Sequence, residues 1–217
     1  MEKYVYELGV YIVGGELIEE ENLQKLYKVI DRFKNKYKYK VRTIIFLRTN
    51  KFLKANQKKD CLAFTTFPYY NFFKTKVSFI NGADIYFNSD LFNEKDLEKW
   101  LGLSFTPESY VEFLIWHELG HVVDYYKSLE KKFLGIFVIK DKIFRKLTSE
   151  LPFSWNLIDG IITEAGGIDS KKFIEQIGDF INYQNSYAEY FAESFAMVNM
   201  NIYAPLSNLI ITRAFEN

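Results

Sequence analysis

At 217 residues the chain is long enough to bury a full hydrophobic core and too short for more than about two domains. Hydrophobic residues make up 48% and charged residues 26%, a balance that excludes a disordered or low-complexity class. Its 28 basic and 28 acidic side chains cancel, which argues against a nucleic-acid partner, and a single cysteine, Cys61, excludes an internal disulfide.

Tyr4 to Val13 is β-branched and aromatic and stops at Gly14-Gly15, so it reads as a strand. Leu23, Leu26, Tyr27, Ile30 and Phe33 recur at helical spacing and predict an amphipathic helix from Glu19 to about Lys34. Arg32 to Lys59 holds eleven Lys or Arg and no acid, whereas Glu16 to Glu21 holds four carboxylates. The apolar stretch Ile44-Ile45-Phe46-Leu47 interrupts the basic run, which is therefore read as a solvated surface around a strand rather than as a site for an anionic partner. Strands are expected at Val41–Arg48 and Cys61–Phe67. Asn81-Gly82 suits a tight primed turn, so Val77–Ile80 and Ala83–Phe87 read as the two arms of a hairpin. A short helix should run from about Asn93 to a stop at Gly102.

From Thr106 the character turns helical. Thr106 can cap, Pro107 suits the first helical position, and Glu108 favours the positive end of the helix dipole. Val111, Leu114, Ile115, Leu119, Val122 and Tyr126 then recur along one broad side. Further helices are expected at about Asp141–Ser149, Ser170–Ile181 and Tyr187–Met200. Strands first and helices after predict one α+β domain over residues 1–217, with 1–105 mainly strands plus two helices and 106–217 mainly helices. Nothing approaches the ~20 apolar residues of a membrane span. Without a basic start leading into a long apolar stretch, the chain is expected to be cytoplasmic, with export by a non-classical route left open.

The chemistry gathers at His117-Glu118-Leu119-Gly120-His121, which holds both histidines of the chain. Positions four apart share one helix face, so both imidazoles can reach one ion. Zinc accepts such nitrogens and, in catalytic sites, keeps one position open for water. Glu118, beside the first histidine, is the natural acceptor for a proton from that water. A single Zn2+ per chain is expected, and it needs a third protein ligand: a carboxylate, a tyrosine oxygen or the Cys61 thiol. Glu189, in Tyr187-Ala188-Glu189-Tyr190-Phe191-Ala192-Glu193-Ser194-Phe195-Ala196, is the strongest candidate. Two carboxylates one turn apart on a half-buried helix need a cation or hydrogen-bond partners. With Glu189 on the metal, Glu193 can orient a ligating histidine through its second ring nitrogen, although the two roles can be exchanged. Glu164 is a weaker rival ligand, and Asp124, one turn after His121, either supports the site or serves local structure. Tyr183 and Tyr187 can each bring a phenol towards the metal.

The two strings together resemble the catalytic domain of anthrax toxin lethal factor and the secreted Pro-Pro endopeptidases of clostridia. That resemblance implies a zincin-like mixed sheet with an edge strand ahead of the motif helix and a zinc-dependent endopeptidase acting on a protein or peptide. It implies His117, His121 and Glu189 as metal ligands, Glu118 as general base and Tyr183 as the tyrosine that assists the transition state. The family tyrosine sits one residue further upstream, where this chain has Asn182. The segment between His121 and Glu189 is also longer than the family carries. The resemblance further implies an extended substrate along an edge strand, expected at Ala83 to Asn88. A second resemblance, through His-Glu-Leu-Gly-His, is to the cytoplasmic repressor-cleaving peptidases of mobile elements. A non-catalytic zinc module stands as a further alternative.

Overall fold

The computed structural model describes residues 2–37, 39–55, 61–66, 69–72, 77–80, 82–103, 105–133, 138–139, 153–166 and 187–216. The fold is α+β, as expected. A mixed five-stranded sheet stands beside seven α-helices among the described residues, and helix predominates.

The first strand divides in two. β1 (Glu2–Val5) and β2 (Val10–Val13) pair antiparallel around a turn closed by Gly9, whose N–H donates to Val5 O at 2.9 Å. Gly9 takes a φ of +68°, the left-handed region that favours glycine. α1 (Glu20–Tyr37) buries Leu26, Val29, Ile30 and Phe33, with acids in its first turn and lysines in its last, as the helix dipole favours. β3 (Val41–Leu47) follows the expected run, and a short helix the sequence did not signal, α2 (Thr49–Ala55), comes next.

The sheet order is β1-β2-β3-β7-β4, where β4 is Ala63–Thr66 and β7 is Ala83–Asn88. β7 runs parallel to β3 and antiparallel to β4, so both of its edges are taken. This overturns two expectations. Ala83 to Asn88 is an interior strand and not the edge, and it forms no hairpin with β6 (Val77–Ile80). β6 instead pairs with β5 (Tyr69–Phe72) and with β8 (Val138–Ile139) in a separate three-stranded sheet. The physical reason lies in burial. Ala83, Ile85 and Phe87 are fully buried and Asp84 and Asn88 nearly so. A strand so enclosed belongs in a sheet interior, whatever turn precedes it. Among the described residues β4 is the strand that ends the sheet on that side.

α3 (Glu94–Leu101) begins and ends where expected. The Asn93 side chain accepts from Asp96 N at 2.9 Å, and Gly102 closes the helix at a φ of +54°. The long helix, α4 (Tyr110–Phe133), starts later than Thr106-Pro107 suggested. Its cap is Ser109, whose Oγ accepts from Glu112 N at 3.2 Å. Glu94 of α3 completes the cap, accepting from Tyr110 N at 2.6 Å and Val111 N at 3.3 Å while Lys25 donates to it at 2.9 Å. Free amides at a helix start need acceptors, and here Ser109 and Glu94 of α3 supply them.

α4 buries Val111, Phe113, Ile115, Trp116, Leu119, Val122 and Val123 almost all round, the pattern of a central helix. It packs on α1, α3 and β4, and on two later helices, α5 (Phe153–Glu164) and α6 (Tyr187–Asn199). α6 in turn packs on α7 (Pro205–Phe215). α6 matches the expected span, whereas α5 and α7 were not foreseen. The helices expected near 141–149 and 170–181, and Tyr183, lie outside the described residues. One hydrophobic cluster runs from Val5 in β1 to Ala214 in α7. Among the described residues no helix is long and apolar enough to cross a membrane.

Candidate metal centre

The site exists because α4 and α6 cross unusually closely. A Cβ built on Gly120 would lie 2.5 Å from Ala192 Cα and 2.9 Å from its carbonyl oxygen. No side chain fits there, so the glycine inside the motif is what lets the two backbones touch. Glu189 stands one turn before Ala192, and His117 and His121 flank Gly120. The crossing therefore sets one carboxylate against two imidazoles across 72 residues of sequence.

Glu189 Oε2 lies 3.1 Å from His117 Nε2 and 3.4 Å from His121 Nε2. The two rings are nearly perpendicular, with centroids 4.9 Å apart. Two ligands about 2.0–2.1 Å from a tetrahedral zinc sit roughly 3.3 Å from one another, so both separations suit a shared ion. The donor set, two imidazole nitrogens and a carboxylate oxygen, is also the kind that catalytic zinc takes while keeping a fourth position open. The residues present fit the metal.

The electrostatics favour a cation here. Burial opposes ionisation of Glu189, but hydrogen bonds and charge from His117 and His121 overrule it and hold the carboxyl well below the usual carboxylate range. Burial likewise pulls the His121 imidazole down, yet the Glu189 hydrogen bond and the charges of Glu118, Glu189 and Asp124 push it up to about 9. A pocket that raises a histidine this way stabilises positive charge in general.

Glu118 is 3% exposed, and its Oε2 accepts a hydrogen bond of 2.7 Å from Thr65 Oγ1 on β4. Ligand atoms of His117, Glu118 and His121 also lie within 4.8 Å of one another, a second grouping that would make Glu118 a ligand. The Glu189 grouping is the better one. Its single oxygen lies within 3.4 Å of both ring nitrogens, while the Glu118 carboxylate accepts from Thr65.

The remaining candidates separate clearly. Asp124 is buried and accepts from Ser154 N at 2.7 Å and from Ser154 Oγ at 2.9 Å, so it fastens the first turn of α5 to α4. Ser128 Oγ supports the same junction, accepting from Phe153 N at 2.8 Å. Glu193 is 2% exposed, and neither of its oxygens has a hydrogen-bond partner among the described residues. The expected bridge from Glu193 to a second ring nitrogen is not made. Burial, reinforced by the Glu189 charge, pushes its carboxyl up to about 9, which leaves it neutral near pH 7. Glu164 sits exposed on α5 and pairs with Arg213 of α7, away from the histidines. Tyr187 packs on Trp155, with ring centroids 4.7 Å apart. Cys61 is partly buried, and its thiol donates to Ala63 O.

Two contributors escaped sequence reasoning. Gly120 carried a weak signal, since a glycine inside a helical pattern costs about 1 kcal/mol against alanine. Thr65 carried none, because its partner lies 53 residues away across a sheet-to-helix packing. Compared with family models, curated proteins and solved structures, the chain matches none of them, so its functional reading rests on the geometry of this site.

Proposed function

We propose that the chain is a zinc-dependent endopeptidase acting on a protein or peptide, with His117, His121 and Glu189 as ligands and Glu118 as general base. The observation that carries this reading is Glu189 Oε2 within 3.1 and 3.4 Å of the two histidine nitrogens, beside a buried second carboxylate. Two imidazoles and two carboxyl groups gathered at one helix crossing, with His117 and Glu118 buried, make a cluster that a shared cation would stabilise.

When bound, zinc lowers the pKa of a ligated water to about 7 and polarises a carbonyl oxygen. The protein's own part follows from its residues. Glu118 accepts the water's proton and returns it to the departing amine. His117 and His121 would bind the ion through neutral ring nitrogens, so metal binding releases the proton that His121 holds without it. An extended substrate adds along β4, the strand that ends the sheet beside the motif helix, through main-chain hydrogen bonds. β4 thus takes the role first expected of Ala83 to Asn88. The resemblance of the two motifs to lethal-factor-type peptidases supports the same ligand and base assignments.

Metal analysis tests the proposal directly. Purified protein should carry close to one zinc per chain, and Glu189→Ala should lose it or hold it much more weakly. Glu118→Gln should keep the zinc and cleave a mixed peptide library about 10²–10⁴-fold more slowly. Absence of zinc after adding it back, or an active Glu118→Gln protein, overturns the proposal.

A further inference from the structure

We infer that Thr65 is a positioning residue for the general base, built into the same strand that would receive the substrate; the inference rests on the endopeptidase reading above. Its hydroxyl donates to Glu118 Oε2 at 2.7 Å, within the range of a charge-assisted O–H···O⁻ bond, with a longer contact of 3.4 Å to Glu118 O. Glu118 is almost wholly buried, and among the described residues its carboxylate takes its hydrogen bond from Thr65. A buried carboxyl oxygen without a donor is costly, so this bond fixes the position of the base's side chain.

The strand is constructed to keep that hydroxyl aimed. Side chains alternate along a strand, and Phe64, on the other face of β4, stacks on Tyr86 at 4.5 Å and packs against Phe52 at 5.3 Å. The main chain of Thr65 lies in register with Ile85 of β7, which is fully buried. Threonine is β-branched and stiff at χ1, so a pinned backbone fixes the direction of Oγ1. One residue therefore belongs to both the edge strand and the base. Main-chain pairing of a peptide with β4 would steady the strand from the side left unpaired among the described residues, and through Thr65 it would steady Glu118 as well.

Thr65→Val keeps shape and removes the donor, whereas Thr65→Ser keeps a donor. Each is purified with zinc and assayed on the best-cleaved member of an internally quenched peptide library. For Thr65→Val we expect unchanged zinc per chain, an unchanged KM and a kcat lower by about 10- to 100-fold, with Thr65→Ser close to wild type. Thermal melting of the zinc-loaded proteins supplies a readout apart from activity. Thr65→Val should lower Tm less in a Glu118→Gln background than in the wild type, because the charge it leaves unpaired is then gone. Equal losses in the Val and Ser variants, a change confined to KM, or the same Tm loss in both backgrounds would each overturn the assignment. Those results leave zinc binding intact, whereas a wild type that binds no zinc or cleaves no peptide removes the endopeptidase reading and this role with it.

Discussion

Gly120 and Ala192 show how far a single methyl group governs the site. In an open helix Gly→Ala stabilises by about 1 kcal/mol. At this crossing the added Cβ would meet the Ala192 backbone at 2.5 Å, too close for any real contact. Overpacking of this kind costs about 1–3 kcal/mol and is relieved only by separating the helices. Separation carries Glu189 away from both imidazoles. Gly120→Ala is thus expected to lower stability despite its better helix propensity and to weaken zinc binding by about tenfold or more, read by denaturant titration and metal competition. Ala192→Gly should not rescue it, because the clash is with main-chain atoms; full rescue would show that the backbones do not touch. Asp124 makes the opposite case. Its carboxylate serves Ser154 at the start of α5, so Asp124→Ala should cost about 1–3 kcal/mol while zinc affinity changes little.

Among the helices, the junction between α3 and α4 gives a pH-dependent contribution whose sign can be worked out. Burial works against the Glu94 charge, but Ser109, Lys25 and the Tyr110 and Val111 amides outweigh it and lower the pKa of the carboxyl. A folded-state pKa below the unfolded value means the native protein binds fewer protons between the two. Stability from Glu94 is therefore fully present above the unfolded value of about 4.3 and is lost as pH falls through the lower folded one. Urea midpoints from pH 7 down to 3 should fall more steeply in that acidic window for wild type than for Glu94→Gln; parallel curves would remove Glu94 from the cap. Capping also explains what the sequence reveals and what it hides. Asn93 and Gly102 act within their own helix, and both ends of α3 are legible. Thr106-Pro107 is a good local start for α4, yet a carboxylate from another element moves the start to Tyr110. Strand order is hidden for the same reason. Asn81-Gly82 favours a tight turn, but β3 and β4 occupy both edges of β7, and neither is adjacent to it in sequence. His117, Glu118 and His121 are legible because their spacing is a property of one helix. Glu189 is legible because an acid on an apolar helix face needs a partner. Thr65 depends on a fold-level contact and is not.

Over the molecule as a whole, the proposed metal acts as a cross-link. α4 and α6 meet through Gly120 and Ala192, but their sequences are far apart, and an ion held by His117, His121 and Glu189 would bind the folded state and not the unfolded chain. Such a ligand at about 100 times its Kd adds about 2.7 kcal/mol of stability. For a chain of this size each kcal/mol moves Tm by roughly 2–4 °C, so zinc should raise Tm by roughly 5–11 °C and a chelator should reverse the rise. The Glu189→Ala protein should show a much smaller shift, because the ion would then be held by α4 alone. Asp124→Ala, which loosens α5 rather than the metal, should melt lower but keep the full zinc-dependent increment. An equal increment in wild type and Glu189→Ala would mean that the ion does not bridge the two helices, and the third ligand would have to be sought elsewhere.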